Sequence, residues 1–267
     1  MGGELDDIEF LVRSNNRLDV LSALGREPID RRTIQERSGV ERVTLGRILN
    51  DFEQRQWMTR NDGGYSLTPV GMMVDQGVTE LRETVATANH LRSVVQWLPT
   101  DSMSFDLHHL GGANITLPSE TDPSAPTRYA GERLRSTDRA RLLMSVIVAE
   151  VIDACRDATV EGEQTVEAVF TPGVVQTISN DRTMTTQVQE MLETGQVTVY
   201  CTDEPVPHIL GLLDDITAFG VTDDENLPRA YLETEDPVVR SWAERTYDEH
   251  RSQATRIDLA ERLPGAD

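Results

Sequence analysis

Eight arginines fall between residues 25 and 60: Arg26, Arg31, Arg32, Arg37, Arg42, Arg47, Arg55 and Arg60. Six acids share the segment, so it carries +2 in a 267-residue chain of net charge −21, and the remainder carries −23. A guanidinium presents a planar fork of donors that grips a phosphate or the O6/N7 edge of guanine. Arg42 and Arg47 flank Thr44, whose methyl suits contact with the thymine methyl, while Arg32 precedes this group and Arg60 follows it. The expected ligand of Arg32, Arg42, Thr44, Arg47 and Arg60 is double-stranded DNA. The competing reading is a solvated helix face on which the arginines fall by chance.

Other chemistry is poorly represented. The five histidines are His90, His108, His109, His208 and His250, with no HExxH motif and no metal-ligand spacing beyond the adjacent pair. Neighbouring histidines diverge on most backbones, so His108 and His109 are expected in a loop or turn. No GxSxG or phosphate-binding glycine loop occurs. Cys155 and Cys201 form no CxxC; they read as small apolar residues, with a redox-sensing pair as the alternative. The acid clusters Asp203-Glu204 and Asp223-Asp224-Glu225 read as solvated strand ends, with divalent-cation binding as the alternative. No catalytic residue, metal or cofactor is expected.

The arginines need a scaffold to present them. Ile8, Leu11 and Val12, then Leu18, Leu21 and Leu24, recur at spacings of three and four, which predicts two amphipathic helices broken at Ser14-Asn15-Asn16. Gly25 and Pro28 interrupt, Asp30 caps a short helix, and Gly39 ends it. A third helix is expected from about Glu41 to Gln56, with Val43, Ile48, Leu49 and Phe52 inward. Short helix, glycine turn and second helix make a helix-turn-helix, whose second helix offers its first residues to base edges. Asn61-Asp62-Gly63-Gly64 between Trp57-Met58 and Tyr65-Ser66-Leu67 predicts a hairpin wing carrying Arg60.

From Val74 to Leu98 apolar residues recur in steps of four and three (Val78, Leu81, Val85, Ala88, Leu91, Val95), which predicts a long helix ended by Pro99. It is expected to connect two domains and to pair two subunits, since helix-turn-helix proteins commonly read two half-sites as dimers. His90 is expected to be an ordinary surface or core residue.

Beyond residue 100 helix and strand patterns alternate. A strand is expected at Ala113–Leu117, a largely helical stretch from Arg128 to Ala158 with a strand-like break near Leu142–Ile147, and a strand over "TVEAVFTP". One helix should span "GVVQTISNDRTMTTQVQEMLETG", followed by the strand "QVTVYCTD" and two or three more strands around an Asp214-Asp215 turn. A closing helix should carry an Asp236 cap and Pro237 at its first position, with Val239, Trp242, Ala243 and Tyr247 inward. The fold class is α+β: residues 1–70 a winged helix-turn-helix, 71–99 the connecting helix, and 100–260 an α/β domain with a partly parallel sheet. Ligands of such sheets bind at strand ends, which makes Thr171, Asp203, His208 and Arg229 candidates for a small-molecule effector. Arg229, after Pro228, also reads as an ordinary surface residue.

The sequence contains 46 acids and no lysine. An acid-rich surface without lysine stays hydrated in molar salt, which suggests a haloarchaeal host; biased codon usage is the alternative. No apolar run reaches the length of a membrane span. The opening "MGGELDDIEF" lacks the features of a signal peptide, so a cytoplasmic location and no membrane partner are expected.

The segments "RRTIQERSGVERVTLGRILNDFEQRQWM" and "DDITAFGVTDDENLPRAYLETEDPVVRSWAERTYDEHR" resemble haloarchaeal winged-helix transcriptional regulators. Their C-terminal domain is of the kind named for a methanogenesis regulator, and it is similar in turn to the phospholipase-D-like sensor domain of TrmB regulators. The resemblance implies a homodimeric regulator whose C-terminal domain binds an effector, and it supplies no ligand and no ligand residues; the alternative is an architectural, chromatin-type DNA binder whose C-terminal domain only oligomerises. Phospholipase-D chemistry needs a histidine with a lysine two residues later. A chain without lysine cannot form that pair, so the domain is expected to be phospholipase-D-like but non-catalytic.

Overall fold

Two local signals shape the N-terminal region in the computed structural model, which describes residues 3–207 and 209–258. The Asp30 side chain accepts the Thr33 amide at 2.7 Å, and Gly39 adopts φ +67°, the left-handed conformation that ends a helix. Between them lies α3 (Arg31–Ser38), preceded by α1 (Glu4–Val12) and α2 (Asn15–Ala23) and followed by α4 (Arg42–Gln54). Strands β1 (Met58–Asn61) and β2 (Gly64–Leu67) pair antiparallel as the wing. Helix α5 (Pro69–Leu91) follows. The chain divides into two compact units between Val85 and Ala86.

The core of the first unit gathers Leu11, Val20, Leu21, Ile34, Leu45, Ile48, Leu49, Phe52 and Trp57, with Met72, Val74 and Val78 from the start of α5 against it. Two glycines allow the wing to close onto its neighbours. Gly64 has φ +125°, and a Cβ there would stand 2.3 Å from the Ile29 carbonyl oxygen, because Ile29 bridges to Tyr65. A Cβ on Gly71 would stand 1.8 Å from the Trp57 carbonyl oxygen.

Helix α5 ends at Leu91 and does not continue to Pro99. Leu91, Val94 and Leu98 all enter the core of the second unit, through a turn and a short 3-10 segment at Val95–Trp97. A three-and-four spacing is satisfied as well by that tighter turn as by further α-helix. No helix among the described residues is long and apolar enough to cross a membrane.

The second unit is built on one eight-stranded sheet. Its elements are β3 (Asn114–Thr116), α6 (Ala125–Arg135), β4 (Arg139–Met144), α7 (Ala149–Val160), β5 (Thr165–Phe170), α8 (Pro172–Asn180) and α9 (Arg182–Glu193). Then come β6 (Val197–Cys201), β7 (Ile209–Leu213), β8 (Ile216–Thr222), β9 (Pro228–Thr234), α10 (Pro237–Gln253) and β10 (Thr255–Arg256). Strand order is β10-β6-β5-β4-β7-β8-β9-β3; β4, β5 and β6 run parallel, and all other pairs are antiparallel. Helices α6 to α9 cover one face. On the other, α10 buries Val239, Trp242, Ala243 and Tyr247 with the segment from Leu91 to Ala113.

Two expectations are corrected in this unit. The apolar run before residue 148 is a full strand from Arg139 to Met144 rather than a break in a helix. Short apolar runs fit a buried strand and a buried helix equally, and only pairing with β5 and β7 decides. The stretch from Pro172 is two helices, because the Asp181 side chain accepts the Thr183 and Met184 amides and starts a new one.

Candidate nucleic-acid interface

Helix α4 follows the Gly39 turn with Leu45, Ile48, Leu49 and Phe52 buried, a stripe at i, i+3, i+4 and i+7. Val43 is 70% exposed, which corrects its expected inward placement. Two residues are about 200° apart on a helix, so Val43 and Leu45 cannot both face the core. The outer face of α4 therefore presents Arg42, Val43, Arg47 and Asn50, all exposed, with Thr44 half-buried beside them. Val43, Arg47 and Asn50 stand at i, i+4 and i+7, one line along the helix. A guanidinium suits guanine, an amide suits the N6/N7 edge of adenine, and an apolar methyl suits thymine.

Arg31 sets the first turn of α4. Its Nη2 donates to the Arg42 carbonyl at 2.8 Å, and it passes over Gly46, where a Cβ would stand 2.6 Å from Nη2. Arg32 is exposed on α3 and paired with Glu36 at 2.8 Å. Arg60 is exposed on β1, with its guanidinium 5.4 Å from the centre of the Tyr65 ring. In the hairpin turn the Asn61 side chain accepts the Gly63 amide at 3.0 Å.

Arg55 is not part of this surface. It pairs with Asp7 at 3.0 Å and lies 3.7 Å above the Phe10 ring, fastening α1 to the end of α4. Arg17 lies over the same ring at 3.9 Å. Asn50 and Arg31 are absent from the expected site residues. The stripe through Leu45 was the signal that would have turned Val43 outward and brought Asn50 into line with Arg47.

The effector candidates do not all converge: Thr171 and Asp203 lie together at the ends of adjacent strands β5 and β6, where the Thr202 amide donates to the Phe170 carbonyl at 3.0 Å, but Arg229 stands apart. Thr171 is the residue before α8, at the end of β5, and exposed Asp203 follows β6. Arg229 lies on β9, four strands from β5, and strands about 4.8 Å apart put it roughly 19 Å away across the sheet. Its guanidinium reaches Asp223 at 2.5 Å and lies 5.7 Å from the Trp97 ring centre. His208 lies outside the described residues. Asp223 also accepts the Leu227 and Glu225 amides; the Leu227 amide, followed by Arg229, holds its carboxyl below the usual range. This acid cluster is thus a turn fastened by its own hydrogen bonds.

The remaining candidates are engaged in the fold. His109 Nδ1 meets the Asp236 carboxylate at 3.0 Å at the start of α10, and the His108 ring packs against His109 at a 35° tilt with ring centres 4.0 Å apart. His90 meets the Ala113 carbonyl at 2.7 Å. Among the described residues no group of three or more histidines, cysteines or acids is arranged to hold a metal ion. Cys155 is buried, and burial pushes its thiol up to about 12, so it holds almost no thiolate at neutral pH.

Two family models match the chain. Residues 5–90 match the HVO_A0261 N-terminal domain, and residues 123–253 match the middle domain of the methanogenesis regulatory protein FilR1. No curated protein matches. Among solved structures, TrmBL2, described as an archaeal chromatin protein with a novel mode of DNA binding, is 11% identical; the match covers 96% of this chain and all of that one, with a TM-score of 0.40. Nuc, a phospholipase D family member from Salmonella typhimurium, is 13% identical, over 54% of this chain and 98% of its own, with a TM-score of 0.42. NucT from Helicobacter pylori is 10% identical with the same coverage and TM-score.

Proposed function

We propose, for a chain that belongs to the regulators pairing an HVO_A0261-type N-terminal domain with a FilR1-type middle domain, that it binds double-stranded DNA sequence-specifically as a homodimer under the control of a small effector. The observation that carries this reading is the outer face of α4, where Arg42, Val43, Arg47 and Asn50 stand exposed after the glycine turn. Arg47 and Asn50 read base edges, Val43 and Thr44 meet thymine methyls, and Arg32 and Arg60 hold phosphates. The C-terminal unit acts without catalysis, by binding effector more tightly in one DNA-binding state than in the other.

The acidity of the chain fits this role in molar salt. Counterion release then contributes little to DNA affinity, and at 1 M the Debye length is about 3 Å. Only charges at contact distance matter, so a few well-placed arginines suffice and the remaining acids repel the duplex weakly.

Helix α5 supports the homodimer. Leu81 is 53% and Val85 50% exposed, and Ala88 is exposed in the same stripe, between residues that enter the two cores. A second copy of α5 covers these side chains.

The test is selection from a random duplex pool by the full chain in molar KCl, with Arg47→Ala alongside. A palindromic motif enriched by the wild type and lost in the variant is the expected result. Retention without any motif would replace this reading with an architectural DNA binder, and no retention would end the DNA-binding reading.

A further inference from the structure

Between helices α6 and α7 and the antiparallel half of the sheet lies a cavity of about 100 Å³. It arises from what the strands lack. The residues of β7 and β8 that face these helices are Ile209, Gly211 and Leu213, paired with Gly220, Ala218 and Ile216. Two of these six positions have no side chain and a third has only a methyl. The parallel strands fill the same layer with Leu142, Met144 and Phe170. Helix α6 contributes Pro126, Thr127, Ala130 and Leu134 to the lining, only one of them a large side chain.

The lining is uncharged. Its polar side chains are Thr127, Thr222 and Tyr231. The Thr127 hydroxyl is already given to the Ser124 carbonyl at 3.0 Å. The Tyr231 hydroxyl lies 3.4 Å from Glu233 Oε2, long for such a bond, while Arg133 holds both Glu233 oxygens at 2.8 and 2.9 Å. An acceptor entering the cavity therefore competes well for the phenol proton. Burial raises the Tyr231 pKa, so that proton stays in place at neutral pH.

We propose that this cavity is the effector site and that it takes a small, neutral, mainly apolar molecule with at most one hydrogen-bonding group, the size of one aromatic ring or a short alkyl chain. The effector role rests on the regulatory reading above; the site and its ligand class rest on the cavity itself. Arg133 is committed to both Glu233 oxygens, so a carboxylate or phosphate would be buried here without a free counter-charge, and a sugar would bring more hydroxyls than three side chains can satisfy. Apolar cavities of about 150 Å³ stay dry and admit benzene, so the size and chemistry of this one fit the same class.

The test uses the full chain in molar KCl, with calorimetric titration and thermal unfolding in the presence of toluene, p-cresol, benzoate or glucose. Toluene and p-cresol are expected to bind and to raise Tm, with benzoate and glucose inert at equal concentration. Ala218→Leu fills the cavity from β8 and is expected to weaken p-cresol at least ten-fold without lowering the unliganded Tm. Gly211→Ala is the gentler variant should the leucine not fold: its new methyl meets Leu213 at 3.4 Å, an ordinary contact, and it weakens p-cresol in the same direction. No binding of either neutral probe, or binding unchanged in a folded variant, overturns the site. Binding that leaves DNA affinity unaltered sustains the site and overturns its effector role, so the two readings fail separately.

Discussion

Arg31 and Arg42 are joined by a single hydrogen bond, side-chain Nη2 to main-chain carbonyl at 2.8 Å, across the space left open at Gly46. The Arg31 Nε is buried with no partner among the described residues. The start of α4 is thus held by an arginine whose own position depends on a missing side chain.

Gly46→Ala is expected to separate stability from binding. Alanine favours the helix over glycine by about 1 kcal/mol, and the atom its methyl meets is the movable end of Arg31. Thermal unfolding should show equal or greater stability. DNA titration should show weaker binding, because the displaced Arg31 no longer holds the first turn of α4.

Val43 and Leu45 should behave as opposites. Val43→Ala removes exposed methyls and is expected to change stability by less than about 0.5 kcal/mol while relaxing base preference at one position of the selected motif. Leu45→Ala empties a fully buried site and should cost about 2–5 kcal/mol. Denaturant melts of the two variants check the order.

On α5, Leu81→Asp with Val85→Asp places charge in the stripe assigned to the homodimer. Both side chains are half exposed within one chain, so folding should survive. Analytical ultracentrifugation in molar KCl is expected to show a dimer for the wild type and a monomer for the variant. A dimer in both would move the interface elsewhere.

Glu233 gives the second unit an acid-sensitive tie between β9 and α6. The Arg133 guanidinium holds its carboxyl below the usual glutamate value of 4.5. A depressed folded-state pKa means the stabilisation is complete above about 4.5 and is lost as pH falls through the lower folded value. Arg133 is partly exposed and solvent screens the pair, so the contribution is on the order of 1 kcal/mol. Glu233→Gln should lower the urea midpoint at pH 6, and the difference from wild type should shrink toward pH 3.

Features set by local chemistry could be read from the chain alone. Asp30, Gly39, the Asn61–Gly64 turn and the Asp236-Pro237 helix start each declare themselves within a few residues, and the placement of α4 follows from the first two. The end of α5 could not, because Leu91, Val94 and Leu98 keep their spacing whether the backbone coils or turns. Nor could Arg55, whose charge looks like its neighbours' until Asp7 and Phe10 fold against it. The cavity is the least readable feature of all. Gly211, Ala218 and Gly220 mean nothing until pairing sets them side by side on one face.

The mixed sheet also imposes an order in time. Strand β7 reaches β8 by a tight turn that pairs Leu213 with Ile216, whereas β4 must find β7 across 73 positions, Ala140 against Leu213. Closing long loops costs entropy before any contact repays it. The meander β7–β8–β9 is therefore expected to form first and to wait with an open edge until β4 arrives with its parallel neighbours. Until then that edge is the part of the sheet most open to mispairing.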